Sequence, residues 1–233
     1  MPLATLNLNG EILQLTTEGA AFRPACRTLI VSDLHFEKGS AIAAHSRRLT
    51  PPYDTMATLE RLRSVMRRLH PKRVIALGDS FHDTNGPKRL STSATNAIQR
   101  LTQAVDWIWI EGNHDPEPPQ SLGGQGASEL KIGALVLRHL PASGPSPGEI
   151  AGHLHPKASI STIARTISGF CFVTDGQRLL LPAFGAYTGG LDVHDPEIAS
   201  RFRRGSRVFL VGRERLYTFP MSALSSGLRR SKV

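Results

Sequence analysis

Apolar and polar residues alternate from the start of the chain. TLNLNGEILQL does so around Asn9-Gly10, the dipeptide that best supplies a tight hairpin turn with positive φ. Short β-branched runs then alternate with helical stretches. RTLIVS reads as a strand, a segment from about Lys38 to Ser46 as a helix, and Asp54 to Leu69 as a longer helix. Met56, Leu59, Leu62, Val65, Met66 and Leu69 fall on one stripe of that longer helix, the spacing of an amphipathic element. RVIAL (strand), a weaker helix around Ala94 to Val105 and DWIWI (strand) complete a β-α-β-α-β rhythm.

From Glu129 onward helix is scarce and strands dominate: ELKIGALVLRH, GEIAGHL, GFCFVTDGQRLLL with a turn at Asp175-Gly176, RVFLVG and RLYTFP. A βα half followed by a β half predicts an α/β fold of two stacked mixed β-sheets flanked by helices. No linker or repeat argues for a cut, so residues 1–225 read as one domain and 226–233 as a disordered basic tail. The stretches PEPPQSLGGQGAS and PASGPSPG read as flexible loops, because their composition buries little apolar surface.

Composition changes this picture in two respects. With 40% hydrophobic and 20% charged residues, the chain is an ordinary globular protein and neither a disordered segment nor a disulfide scaffold. Its formal net charge of +9 makes a polyanion a natural partner. Cys26 and Cys171 lie far apart in apolar, strand-like settings and are expected to be buried, reduced thiols. No basic, apolar leader opens the chain and no apolar run approaches the ~20 residues that span a bilayer, so a cytoplasmic location away from membrane is expected.

The chemistry concentrates where apolar runs end. Five polar clusters follow hydrophobic stretches directly: SDLH (32–35), GDSFHD (78–83), GNHD (112–115), RH (138–139) and GHLH (152–155). Open α/β sheets place their sites at such strand ends. Each cluster is weak alone. Together they offer the carboxylates of Asp33 and Asp79, the amide of Asn113 and the imidazoles of His35, His139, His153 and His155, a set suited to two divalent ions sharing one carboxylate.

The order D-x-H, G-D, G-N-H-D, H, G-H-x-H resembles the calcineurin-like metallophosphoesterase superfamily from Ser32 to about His155. That resemblance implies that Asp33, His35 and His155 bind one metal and that Asn113, His139 and His153 bind the other, with Asp79 as the bridge. It makes His114 the catalytic acid and Asp115 its orienting partner. Two cations close together lower the pKa of a shared water and brace the attacking and leaving oxygens. The all-N/O donor set favours Mn, with Zn or Fe as alternatives. The chain departs from the usual pattern twice: Leu140 follows His139 where Gly is common, and Asp83-Thr84 replaces a common Asp-Arg.

SDLHFEKGS, LGDSFHD, GNHDP, GHLHPKA and LPAFGAYTGG together resemble one bacterial subgroup, the ligase-associated DNA damage response endonucleases called PdeM. The resemblance implies a phosphodiesterase or endonuclease on DNA or RNA, active in DNA repair and functionally associated with an ATP-dependent DNA ligase, an exonuclease and a helicase. Lys38, His82 and Lys157 are candidate substrate contacts, while Phe184 to Gly190 reads foremost as a strand-ending turn. The same metal site also suits a phosphomonoesterase or a nucleotide pyrophosphohydrolase. A non-catalytic binding scaffold is a third reading, against which every motif residue is intact.

Overall fold

The computed structural model describes residues 3–45, 53–117, 120–161 and 166–225. The opening hairpin forms as its turn dictates: β1 (Ala4–Leu8) pairs antiparallel with β2 (Glu11–Leu15), and Asn9 and Gly10 take φ of 49° and 85°. There follow β3 (Ala21–Arg23), β4 (Thr28–Ser32), α1 (Lys38–His45), α2 (Asp54–Leu69), β5 (Arg73–Leu77), the short α3 (Gly86–Arg89), α4 (Thr92–Ala104), β6 (Asp106–Ile110) and β7 (Gln125–Ala127). These strands form one sheet in the order β1-β2-β3-β4-β5-β6-β7, antiparallel up to β4 and parallel from β4 to β7.

The second sheet draws on β8 (Leu130–Ile132), β9 (Leu135–Arg138), β10 (Glu149–Ala151), β11 (Lys157–Ser161), β12 (Thr166–Thr174), β13 (Arg178–Leu180), β14 (Arg207–Val211) and β15 (Leu216–Pro220), with the single-turn α5 (Pro196–Ala199) before β14. Its order is β15-β14-β12-β13-β10-β9-β8, and β11 pairs with β12. The central β9-β10-β13 pairings are parallel, so both sheets are mixed. No helix among the described residues is long and apolar enough to cross a membrane.

Strand alternation sorts the core into layers. Leu29 and Val31, Val74 and Ala76, and Trp107 and Trp109 point from β4, β5 and β6 toward Leu59, Leu62, Val65 and Met66 of α2 and Ala94, Ala97 and Ile98 of α4. Their neighbours Ile30, Ile75, Leu77, Ile108 and Ile110 point the other way, against Leu135, Leu137, Ile150, Phe172, Leu179 and Phe209 of the second sheet. Burying each of the larger of these side chains contributes roughly 1.5–3 kcal/mol. The carboxyl ends of β4, β5, β6, β9 and β10 are thereby fixed relative to one another.

Several sequence expectations need correction. Met56 is 40% exposed and lies off the packed stripe of α2. Cys26 is only partly buried: it sits on a single 3-10 turn, where Thr28 and the Arg23 guanidinium approach its sulfur at 3.0 Å. Cys171 is a buried free thiol, as expected. The Gly-rich stretch after GNHD is more ordered than its composition predicts. Leu122 is buried in the core, Trp109 Nε1 donates to Gly123 O (2.8 Å), and Gln125–Ala127 pairs with β6. PASGPSPG is likewise pinned, since the buried Arg178 guanidinium donates to the carbonyls of Ala142 and Gly144. The tail 226–233 lies outside the described residues.

Candidate metal centre

All five polar clusters emerge where their strands end, so the core that fixes the strands also fixes the site. The loops after β4 and β5 lace together: His35 N donates to Asp79 O (2.9 Å), Phe36 N to Ser80 O (2.8 Å) and His82 N to Phe36 O (3.1 Å). The backbone turns sharply there. Asp33, His35, Asp79, His153 and His155 all have positive φ, between 42° and 70°. A non-glycine residue held in this region costs on the order of 1 kcal/mol, and such strain concentrates at functional sites. Glycines admit the closest approaches. A Cβ on Gly112 would collide with the backbone and carboxylate of Asp79, and one on Gly152 with the carboxylate of Asp33.

Two clusters of donor atoms result. In the first, Asp33, His35 and His155 bring one ligand atom each within 4.8 Å of one another. His155 Nε2 lies 3.2 Å from Asp33 Oδ1 and 3.3 Å from His35 Nε2. In the second, Asp79, His139 and His153 do the same. His139 Nε2 faces Asn113 Oδ1 at 2.9 Å, His153 Nδ1 at 3.2 Å and Asp79 Oδ1 at 3.4 Å. The two clusters adjoin, because His153 N donates to both oxygens of Asp33 (3.2 and 3.0 Å).

These donor sets fit divalent metal. Bonds of ~2.0–2.2 Å to N and O ligands put neighbouring ligand atoms about 3–3.5 Å apart, the spacing observed. His139 Nδ1 lies 3.0 Å from Leu77 O and must donate to it, which turns Nε2 toward an amide oxygen, a carboxylate and a second imidazole. Lone pairs so gathered need a proton or a cation among them. In addition, His35 Nδ1 is buried with no hydrogen-bond partner among the described residues.

Electrostatics follows the same layout. Burial opposes ionisation of Asp33 and Asp79, but the surrounding imidazoles outweigh it and hold both carboxyls below their ordinary range. Burial pushes the His35 imidazole down to about 3. At His139 burial acts in the same sense, but Asp79 and Asp33 prevail and raise it to about 8. Two ionised carboxylates among imidazoles are ready to receive cations.

The remaining predicted residues surround the clusters. His114 is exposed; its backbone N–H donates to Asp79 Oδ1 (3.0 Å) and its Nε2 lies 3.8 Å from Asp79 Oδ2. His82 stacks on His114 with ring centroids 5.5 Å apart. Asp115 is buried. One of its oxygens accepts from Phe81 N (3.0 Å), the other has no partner, and burial pushes its carboxyl up to about 7. Asp115 thus braces the Asp79 loop. Burial lowers the Lys38 ammonium, and the charge of Lys157 adds to that effect, so the two lysines sense each other beside the site. Lys157 Nζ also sits 4.6 Å from the centre of the Phe170 ring.

Sequence reasoning missed what the side chain of Glu37 does. Its carboxylate accepts from Ser40 Oγ (2.7 Å) and Thr55 Oγ1 (2.9 Å), tying the loop after His35 to α1 and α2. A lone acidic residue at a helix start offered no signal of that network.

Comparison with known proteins accords with this geometry. Residues 26–168 match the model of the calcineurin-like phosphoesterase family. No protein of curated function matches the sequence. Among solved structures, the Pseudomonas putida nuclease MPE is 28% identical, with a TM-score of 0.73 over 94% of this chain and 100% of that one. Yfce, a phosphoesterase from E. coli, is 13% identical, with a TM-score of 0.40 over 83% of this chain and 98% of that one. With donor groups for metal at five strand ends and a family match across them, the chain belongs to the calcineurin-like phosphoesterases and is a metal-dependent phosphoesterase.

Proposed function

We propose that this protein is a two-metal phosphodiesterase that cleaves nucleic acid strands, DNA or RNA, as part of bacterial DNA repair. The observation that carries this reading is the pair of adjoining N/O donor clusters at the strand ends. The likeness to a nuclease along nearly the whole chain and the net charge of +9 support a polyanionic substrate. Residues 1–225 act as one unit, cytoplasmic, alongside an ATP-dependent DNA ligase, an exonuclease and a helicase.

In this reading Asp33, His35 and His155 would hold one ion, Asn113, His139 and His153 the other, and Asp79 would serve both. The donor set suits Mn, with Zn or Fe as alternatives. Ions bound there supply an acidified water and positive charge against the phosphate oxygens. The protein's own part is positioning and proton delivery. His114 stands beside Asp79 yet opens to solvent, where its Nε2 can give a proton to the leaving alkoxide as the P–O bond breaks. Asp115 holds the Asp79 loop in place, and His82, Lys38 and Lys157 meet the substrate's phosphates.

The test is hydrolysis of bis-p-nitrophenyl phosphate against p-nitrophenyl phosphate by metal-stripped protein with Mn, Zn or Mg restored. Diester cleavage well above monoester cleavage with Mn is the expected result. Monoester cleavage alone would replace the nuclease reading with a phosphatase, and no turnover with metal bound would leave a binding scaffold.

A further inference from the structure

Two exposed apolar side chains flank the donor clusters, and the backbone presents them differently. Leu140, 52% exposed, simply follows His139. Tyr187, 62% exposed, is held at φ 57° in a turn otherwise rich in glycine. Glycine would take that conformation freely, whereas a tyrosine takes it at a local cost.

The turn carrying Tyr187 is clamped onto the site at both ends. Phe184 N donates to Ser32 O (2.8 Å), Gly185 N to Asp33 O (3.0 Å) and Ala186 N to Thr58 Oγ1 (2.9 Å). At the far end Leu191 N donates to Leu154 O (3.4 Å). Gly185 and Gly190 pass so close to the carbonyls of Leu34 and His155 that any Cβ would collide, and a Cβ on Gly190 would stand 3.1 Å from Lys157 Cγ. The ring makes no aromatic or cation contact among the described residues. An exposed tyrosine therefore stands on a turn whose backbone is bonded to Asp33 and passes against His155, with a lysine stem running along the base of that turn. Aromatic faces of this kind stack nucleobases regardless of sequence, while a neighbouring ammonium tracks the backbone.

We propose that Tyr187 is a stacking platform for the base of a nucleotide flanking the scissile phosphate, with Lys157 meeting an adjoining backbone phosphate. The inference rests on the nucleic-acid reading above, and the following experiment separates the two. The metal-loaded protein is assayed on a single-stranded oligonucleotide and on one of equal length whose residues are abasic tetrahydrofuran phosphates. The wild-type protein is expected to favour the base-bearing strand in kcat/KM by at least about fivefold, the lower end of what stacking one base provides. Tyr187→Ala should erase that preference and Tyr187→Trp should keep it. Tyr187→Gly, which relieves the backbone, should erase it while keeping or raising the thermal midpoint, so the loss cannot be assigned to misfolding. Wild-type cleavage of neither strand would overturn the nucleic-acid reading itself. Equal cleavage of both, or a preference that survives Tyr187→Ala and Tyr187→Gly, would overturn the role of Tyr187 alone.

Discussion

Asp33, His35 and His155 are braced chiefly by main chain, whereas Asp79, His139 and His153, equally buried, border a groove through Asn113 and His139. Main chain surrounds the first cluster: His153 N caps the Asp33 carboxylate, and the turn carrying Gly185 and Gly190 passes against the backbone of Leu34 and His155. The second faces a groove of about 420 Å³ lined by Glu111, Ser128, Glu129, Arg138 and Leu140. Its geometry depends on side chains reaching from several loops. The difference separates a cluster braced by backbone from one braced by side chains at the edge of a groove.

Removing the residue proposed to join the clusters gives the largest effect. Asp79→Ala should drop the metal content from two ions toward none and abolish turnover, as read by metal analysis beside a diester assay; retention of a full pair of ions would remove Asp79 from its bridging role. His114→Ala tests the open side without dismantling the site. Turnover should fall about 10²–10⁴-fold, the usual worth of a proton donor, with metal content near normal. Unchanged turnover would end its role as the acid.

Gly112→Ala gives the smallest effect and discriminates best between the clusters. The added methyl collides with Asp79 and with the Asp115 carboxylate. The backbone must yield, at a cost of about 1–3 kcal/mol visible in the thermal midpoint. Calorimetric metal titration should show one ion weakened roughly 10–100-fold, as when a ligand's support is lost, and the other changed less. Equal weakening of both would mean that the clusters are not separable.

The donor residues were legible in the sequence for a local reason. An apolar run followed at once by Asp, Asn or His marks a strand end whatever the rest of the chain does, and five such ends appear in order. Features made by distant partners were not legible. Gln125–Ala127 looks like loop until β6 supplies its hydrogen bonds and Trp109 its indole donor. Asp115 follows His114 directly, yet its side chain serves Phe81. The positive φ of Asp33, His35, Asp79, His153 and His155 left no trace in composition, because none of these is glycine. Tyr187 was hidden among glycines that signal a turn and nothing more.

The bond from His153 N to Asp33, residues 120 positions apart, has a consequence for biosynthesis. Domains emerge from the ribosome amino end first. Here, however, the Asp33 carboxylate finds the amide that caps it only when β10 and the turn after it have been made. A nascent chain carrying Asp33, His35 and Asp79 alone has no assembled centre. Hydrolytic competence therefore arrives late and all at once.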